Sequence, residues 1–455
     1  MARTKLWLIL VLIGFGLIYF HNAWFYSPHS GYDAGIHMIY TQIITEEGRI
    51  PVRVDTPESY NPPAFYFLSG QLARIFSPYF GGNLLDALKS WQILIALLMP
   101  LIGYLWYDIF VFLNPKRAKW GLFYLVWLLS IPVVLKMAPM YNIETPQLIL
   151  GSVIVWYFIK HVLPKPDINK YMILGIFGGI ILSFRIMSIS LILSLIFLTL
   201  ILYWVKGISL KRLLIYGSIF IGVMVGIGGQ YYYFYRNEGV FDSGENVAEN
   251  RKTPFFQRQP KSFYTDTFFR TMMRTPIRPY FPNRFMPIFY STFWGDYWNY
   301  FRHPRFPLSA EEEIKFANET NKVKISRERL TVLAWQNRIN IISTLVLIGG
   351  MIIAFIGTFK KFVRRNPFNY RQLAEGFLAT FFVAAFVVFF WTNIEFPNTY
   401  KGDTIKASYV LYAIPALVYF GVRFLMGLSR RRWLLVPILS IIGISIIFNL
   451  HFGYF

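Results

Sequence analysis

The sequence contains no cysteine among its 455 residues, which excludes disulfide bonds and thiolate metal sites. Charged residues are also scarce, at 15%, whereas soluble domains carry roughly 25%. No P-loop, HExxH or nucleophile-elbow pattern occurs, and the six histidines are scattered, so the sequence predicts no zinc site. Hydrophobic residues make up 55% of the chain, in repeated apolar runs. Composition therefore predicts an all-α polytopic membrane protein.

About 11 apolar segments are long enough to be transmembrane helices. The loops on one side of them are short and rich in Lys and Arg, with Asp167 as their one clear anion. The positive-inside rule places these loops in the cytoplasm, together with the N-terminus. The same rule accounts for the net charge of +22, so nucleic-acid binding is not predicted. The predicted spans are 5–25, 88–113, 119–137, 146–163, 170–184, 187–205, 211–233, 338–359, 371–391, 407–427 and 433–451.

The opposite, outer side carries the long loops and most of the carboxylates, which places function there. We predict an N-terminal transmembrane module, 1–233, whose first outer loop, 26–87, is catalytic. An extracytoplasmic loop or subdomain, 234–337, follows, and 338–455 forms the C-terminal transmembrane helices.

Three local features are predicted within this arrangement. The apolar stretch 64–76 is too short to span and is expected to form an interfacial or re-entrant helix. The segment 170–205 is expected to form two short helices that meet at Arg185 near the outer surface. The region 309–330 is typical of a charged surface helix.

Asp33 is the first candidate for chemistry, with His37 one helical turn later. It is either an N-cap or solvated loop residue, or a general base at the mouth of the bundle. If 34–47 is helical, its apolar stripe would lie along the membrane surface.

The other candidates have equally open roles. Tyr60 and Asn61, before a double proline, either close a turn or present polar groups to a ligand. Glu144 is a helix-capping residue or a second acid facing the same cavity as Asp33. Arg185 reaches toward headgroups or binds a lipid-linked phosphate. A further candidate is Asp296, within an aromatic stretch that either forms a belt resting on the membrane or stacks on sugar rings. Asp403 and Lys406 are the last candidates, and they form either an interfacial ion pair or a phosphate anchor.

Three stretches of the first outer loop together carry a resemblance to a known family. They are Asp33 with His37, Gly48-Arg49-Ile50-Pro51, and Tyr60-Asn61-Pro62-Pro63-Ala64-Phe65-Tyr66. This arrangement resembles GT-C superfamily membrane glycosyltransferases, closest to the protein O-mannosyltransferase and aminoarabinose transferase group. Ala34 stands where that pattern has a second acid, and Asn61 where it has a histidine. The resemblance extends more loosely to the Gly-rich stretch ending in Arg185, to Phe293-Trp294-Gly295-Asp296 and to Lys406-Ala407-Ser408-Tyr409-Val410-Leu411.

The resemblance implies an inverting glycosyltransferase of the GT-C fold in the cell membrane, acting in the cell envelope. A sugar, hexosyl or pentosyl, would pass from a polyprenyl-phosphate donor to a hydroxyl of a glycan, lipid or protein acceptor. Asp33 would be the general base, and Arg185 or Lys406 would hold the phosphate. No cofactor is expected with certainty, and assistance by a divalent cation stays open. Two alternatives remain. One is an O-antigen ligase or polymerase that uses diphosphate-linked glycans, which the basic 251–284 loop supports. The other is a lipid or solute transporter.

Overall fold

The computed structural model describes residues 2–206, 209–237, 252–278, 280–301, 327–363, 369–397, 402 and 404–453. Within these ranges the chain is helical and contains no β-strand, which confirms the predicted all-α class. The helices are α1 Ala2–Phe25, α2 Ala34–Gln42, α3 Ala64–Phe76, α4 Lys89–Leu113, α5 Ala118–Leu129, α6 Pro132–Met137, α7 Glu144–Tyr157, α8 Ile168–Phe184, α9 Ile189–Lys206, α10 Leu210–Asn237, α11 Lys261–Thr265, α12 Phe269–Met272, α13 Phe285–Trp294, α14 Arg327–Ile339, α15 Ile341–Val363, α16 Tyr370–Glu395, α17 Ile414–Gly427 and α18 Arg432–Gly453.

Among the described residues, 7 helical stretches are long and apolar enough to cross a membrane, since a bilayer core requires about 20 apolar residues. Three shorter apolar helices, formed by α5, α8 and the start of α9, accompany them. The protein is therefore an integral membrane protein. The long stretches are Thr4–Phe25, Asp86–Leu113, Leu210–Ile227, Leu330–Lys361, Tyr370–Glu395, Ala407–Arg430 and Arg432–Leu450.

Glycines allow α8 and α10 to pack closely. A Cβ atom on Gly175 would lie 2.7 Å from the carbonyl oxygen of Phe220, and one on Gly179 would lie 2.7 Å from Cβ of Ile227. The two glycines are four residues apart and share one face of α8. Small residues at this spacing let membrane helices approach until their backbones touch. The Gly-rich stretch before Arg185 is thus a packing surface.

Four predicted site residues lie at helix junctions on one end of the bundle. Arg185 separates α8 from α9, as expected, with an extended backbone followed by a short 3₁₀ turn. Glu144 begins α7, and Lys406 precedes the 3₁₀ helix Ala407–Ala413 that leads into α17. Asp33 directly precedes α2. Junctions place charged groups beyond the apolar length of each helix, where their desolvation costs less.

The loop after α1 folds onto this same end. It consists of α2, a π-helical turn Ile43–Glu47, a 3₁₀ turn Pro57–Tyr60 and α3. In the predicted stripe of α2, Tyr40 is fully buried and stacks on Tyr66 with ring centroids 3.7 Å apart, whereas Ile39 is 45% exposed. α3 exposes Phe67 and Ile75 on its other face, which suits an interfacial position. That position remains a prediction.

Two predictions reach beyond the described residues. Most of the 309–330 region lies outside them, and α14 begins only at Arg327. The division at residues 233 and 337 also remains a prediction. The described part of the middle segment contains the short helices α11, α12 and α13.

Candidate functional site

Asp33 forms an ion pair with Lys406, from the opposite end of the sequence. The Asp33 backbone adopts the left-handed region, with φ of 57°, and its carboxylate does not cap α2. Among residues with a Cβ, Asp and Asn tolerate this conformation best. The turn leaves the Asp33 side chain 35% exposed, whereas that of Lys406 is only 8% exposed. The carboxylate is therefore open to a ligand on one side and held by a cation on the other.

Arg185 and Glu144 form a second ion pair, which is buried. Arg185 Nη1 lies 2.9 Å from Glu144 Oε1, and the two side chains are 8% and 6% exposed. Arg185 Nε is buried and has no hydrogen-bond partner within the described residues. A buried N–H without a partner is costly, and a bound ligand or water would satisfy it. Glu144 is therefore a partner of the arginine, and the arginine keeps a spare donor.

The Tyr409 ring connects the two ion pairs. Its centroid lies 4.7 Å from the Arg185 guanidinium carbon and 5.9 Å from Lys406 Nζ. Lys406 Nζ also lies 5.4 Å from the Tyr32 ring. Aromatic faces attract cations through their quadrupole without neutralising them. Two buried cations are thus held near one another and beside one open carboxylate.

Asp33 and Lys406 each stabilise the ionised form of the other. Burial raises the pKa of Asp33, but Lys406, His37 and Arg185 lower it, and the net pKa lies below the usual value. Burial lowers the pKa of Lys406, while Asp33 raises it, and the net pKa lies well above the usual value. Both groups are therefore ionised at neutral pH.

His37 is buried beneath Asp33 and stabilises the first outer loop. Its ring is buried, at 3% exposure, and Nδ1 is 2.9 Å from the Tyr66 hydroxyl. The His37 backbone N–H donates to the Asp33 carbonyl at 3.0 Å. One step further in, the Tyr141 hydroxyl lies 2.5 Å from Thr41 Oγ1. The structure thus brings His37 close to the site but not to its open face.

Tyr60 and Asn61 are adjacent in the sequence but differ in exposure and in their contacts. Tyr60 is 41% exposed, whereas Asn61 is buried, at 3%, and its amide donates to Glu58. The Tyr40 hydroxyl donates to the Asn61 carbonyl at 3.1 Å, so Asn61 fixes the turn.

Glu58 is a site residue that the sequence does not predict. Burial lowers the pKa of Arg185, but Glu144 and, more weakly, Glu58 raise it, which places Glu58 on the edge of this site.

Asp296 is a turn residue. It is 3% exposed, and its carboxylate accepts the backbone N–H groups of Tyr300 at 3.2 Å and Phe301 at 3.0 Å. Trp294, Tyr297 and Trp298 beside it are buried, so the core of this aromatic stretch is neither a membrane belt nor an open stacking surface. Asp403 lies outside the described residues.

Lys136 is a buried cation that the sequence did not suggest. It is 5% exposed, and its Nζ lies 3.5 Å from the carbonyl oxygen of Thr292. The Thr292 hydroxyl accepts the N–H of Ala407 at 3.1 Å, next to Lys406. Lys136 lies within a predicted apolar span, which is why sequence patterning passed over it. The described part of the chain has no cluster of three His, Asp or Glu residues that could hold a metal ion.

No family model and no curated protein matches the chain. Among solved structures, it is similar to ArnT from Cupriavidus metallidurans bound to undecaprenyl phosphate. The identity is 14%, the match covers 91% of this chain and 76% of that chain, and the TM-score is 0.39. For ArnT from the same organism in the apo state, the identity is 14%, the coverage 93% and 77%, and the TM-score 0.37. Agreement this low does not transfer residue roles or substrates. Both matches extend along most of the length of this chain.

Proposed function

We propose that this protein is a glycosyltransferase that moves a sugar from a polyprenyl-phosphate donor to an acceptor hydroxyl. One observation carries the proposal. A half-open carboxylate, Asp33, contacts a buried cation, Lys406, which shares the Tyr409 ring with a second buried cation, Arg185. A lipid-phosphate leaving group needs cations, and an acceptor hydroxyl needs a base, and this end of the bundle supplies both.

The donor phosphate would bind between Lys406 and Arg185. Arg185 keeps its Nε donor free for a phosphate oxygen while Nη1 stays on Glu144. Charge-assisted hydrogen bonds to phosphate are among the strongest that side chains make. The polyprenyl tail would extend between the apolar helices, which explains why such a site belongs in a membrane protein. By the charge rule this end is extracytoplasmic.

Phosphate binding would also prepare the base. A carboxylate paired with a lysine is a weak base, because the cation lowers its pKa. The donor phosphate competes for Lys406, so Asp33 loses its partner while a second negative charge arrives nearby. Both changes raise the pKa of Asp33 toward the range that suits proton transfer. The site would therefore become basic only after the donor is bound.

The reaction is a single displacement. The acceptor oxygen forms a bond to the anomeric carbon as Asp33 takes the hydroxyl proton. The bond from that carbon to the phosphate oxygen breaks, and its electron pair leaves on the phosphate. Lys406 and Arg185 hold the resulting charge. Attack on the face opposite to the phosphate inverts the anomeric centre. The geometry does not specify the sugar, and the acceptor remains a glycan, lipid or protein hydroxyl.

The alternative of a diphosphate-linked donor has weaker support. It calls for outer-loop arginines that converge on two phosphates. Arg258 instead pairs with Glu395, and Arg284 Nε lies 2.8 Å from Asp266. Both arginines therefore already hold carboxylates of the protein.

The test is transfer by the purified full-length protein reconstituted in sealed liposomes. A radiolabelled sugar on polyprenyl monophosphate and a sugar on polyprenyl diphosphate are offered separately, with a membrane extract as the acceptor source. We expect labelled product and free polyprenyl phosphate only from the first donor. Transfer from the diphosphate donor alone would favour the ligase alternative. Movement of intact donor across the bilayer without transfer would favour a transporter.

A further inference from the structure

A cavity of about 490 Å³ opens at the end of the bundle opposite to Asp33. It lies beyond the far end of α4, whose 25 residues span about 37 Å at 1.5 Å per residue. Five cationic side chains line it, together with one carboxylate, Glu375. Its size is within the range of small-molecule sites. The cations are Lys116, Arg117, Lys361, Arg371 and Arg423.

A fixed polar network forms the wall of this cavity. Arg423 Nε lies 3.1 Å from Glu375 Oε1, and Arg423 Nη1 donates to Asn114 Oδ1 at 2.9 Å. The Tyr419 hydroxyl donates to Glu375 at 2.8 Å and accepts from Asn114 Nδ2 at 3.2 Å. Glu375 is thus occupied by its neighbours. Within the described residues, Lys116, Arg117, Lys361 and Arg371 line the cavity and form no ion pair, so no carboxylate of these residues compensates their charges.

An apolar groove of about 200 Å³ adjoins the cavity. It runs between α9, α15 and α16, and its walls include Phe197, Ile201, Phe355 and Phe359. Gln372 lines both the groove and the cavity. A cationic site that meets an apolar channel at the end of a helix bundle matches the two parts of an anionic lipid: a phosphate headgroup and an acyl chain.

We propose that the cavity and the groove together bind one anionic phospholipid. Its headgroup phosphate lies among Lys116, Lys361 and Arg371, and one acyl chain lies along the groove. The occupant is a lipid rather than a soluble phosphate compound, because a soluble anion would leave the adjoining groove unused. This site is independent of the transfer reaction at the other end of the bundle.

The test is native mass spectrometry of the full-length protein with equal amounts of phosphatidylglycerol and phosphatidylcholine. We expect the anionic lipid to be retained at least about tenfold more often. The double variant Lys361→Gln, Arg371→Gln should reduce its retention about tenfold or more, since each cation contributes to headgroup attraction. The control Lys119→Gln, Arg432→Gln removes the same charge from exposed positions outside the cavity and should change little. Equal losses in both double variants would overturn the proposal.

A second pair of variants separates the lipid from a soluble anion. Thr380→Phe fills the groove and should abolish retention of phosphatidylglycerol, while Thr380→Val, of similar volume, should not. Inorganic pyrophosphate should fail to displace the bound lipid at equal concentration. Retention of the lipid by Thr380→Phe would show that the groove does not hold its acyl chain, and displacement by pyrophosphate would show that the cavity binds a soluble anion; either result would overturn the proposal. Unchanged thermal melting of each variant establishes that the effects are local.

Discussion

Asp33 and Lys406 are 373 positions apart in the sequence and form an ion pair at one end of the helix bundle. The pair joins the loop after α1 to the segment before α17. Its carboxylate is the more open partner and its ammonium the more buried one. A ligand that enters from the open side therefore meets Asp33 first and must compete for Lys406.

Lys406→Gln should weaken donor binding about 10- to 100-fold, because a charge-assisted hydrogen bond contributes about 1.5–3 kcal/mol. The donor KM should rise correspondingly. Lys406→Arg keeps the charge and should recover part of the affinity. Titration with polyprenyl phosphate in nanodiscs measures the effect. Lys261→Gln, which removes an exposed lysine elsewhere, is the matched control. Equal affinity in Lys406→Gln and wild type would remove Lys406 from the phosphate site.

Glu144→Gln should destabilise the protein by about 3–5 kcal/mol, because it leaves the buried Arg185 charge uncompensated. Polyprenyl phosphate should restore much of this loss by binding Arg185. The lipid should therefore raise the melting temperature of Glu144→Gln more than that of wild type.

Asp266→Asn is the control for this prediction. It breaks the more exposed Asp266–Arg284 pair, and solvent screening makes its cost small. The lipid should shift its melting temperature no more than that of wild type. A lipid shift in Glu144→Gln equal to the one in wild type would mean that Arg185 does not contact the donor.

Tyr409→Leu should lower donor affinity about 2- to 30-fold, because it removes the ring that holds both cations in place. Tyr409→Phe keeps the ring face and should bind the donor as wild type does. The comparison of the two variants by the same lipid titration isolates the ring from the hydroxyl. Loss of binding in Tyr409→Phe would assign the role to the hydroxyl instead.

The acid limb of the pH–rate profile should depend on whether the donor is bound. In the free enzyme the pKa of Asp33 lies below its usual value of 3.8, so the ion pair is lost only as the pH falls through that lowered pKa. With donor bound, the acid limb of the kcat profile should move to higher pH, because Lys406 then pairs with the donor phosphate instead of Asp33. Profiles of kcat and of kcat/KM for the donor report the two states. Coincident acid limbs would mean that the donor does not draw Lys406 from Asp33.

Among the described residues, seven of the predicted spans match long apolar helices, because bilayer thickness fixes the length of each apolar run. The predicted span 119–137 instead divides into α5 and α6, because Ile131 is extended and Pro132 starts a new helix. The meeting of Asp33, Arg185 and Lys406 at one end followed from the alternation of spans and the placement of basic loops.

The partners of these residues were not predictable, because pairing depends on packing between segments far apart in the sequence. The sequence predicts Arg185 as a phosphate ligand or a headgroup contact, but it does not reveal the ion pair with Glu144. Tyr409 was noted only as part of a motif, since nothing in its neighbours reveals a ring between two cations. The charge of Asp296 makes it a candidate in the sequence, but the sequence does not reveal that its carboxylate accepts the backbone N–H groups of Tyr300 and Phe301.

The most direct test of Asp33 as the base is single-turnover transfer by Asp33→Asn with the donor already bound. The account predicts a rate at least about 10³-fold below wild type, within the range of general-base effects. Donor affinity should be equal or higher, because Lys406 loses its competing carboxylate. Asp86→Asn, at a 49%-exposed aspartate near the same end, should transfer at the wild-type rate. Undiminished transfer by Asp33→Asn would contradict the account.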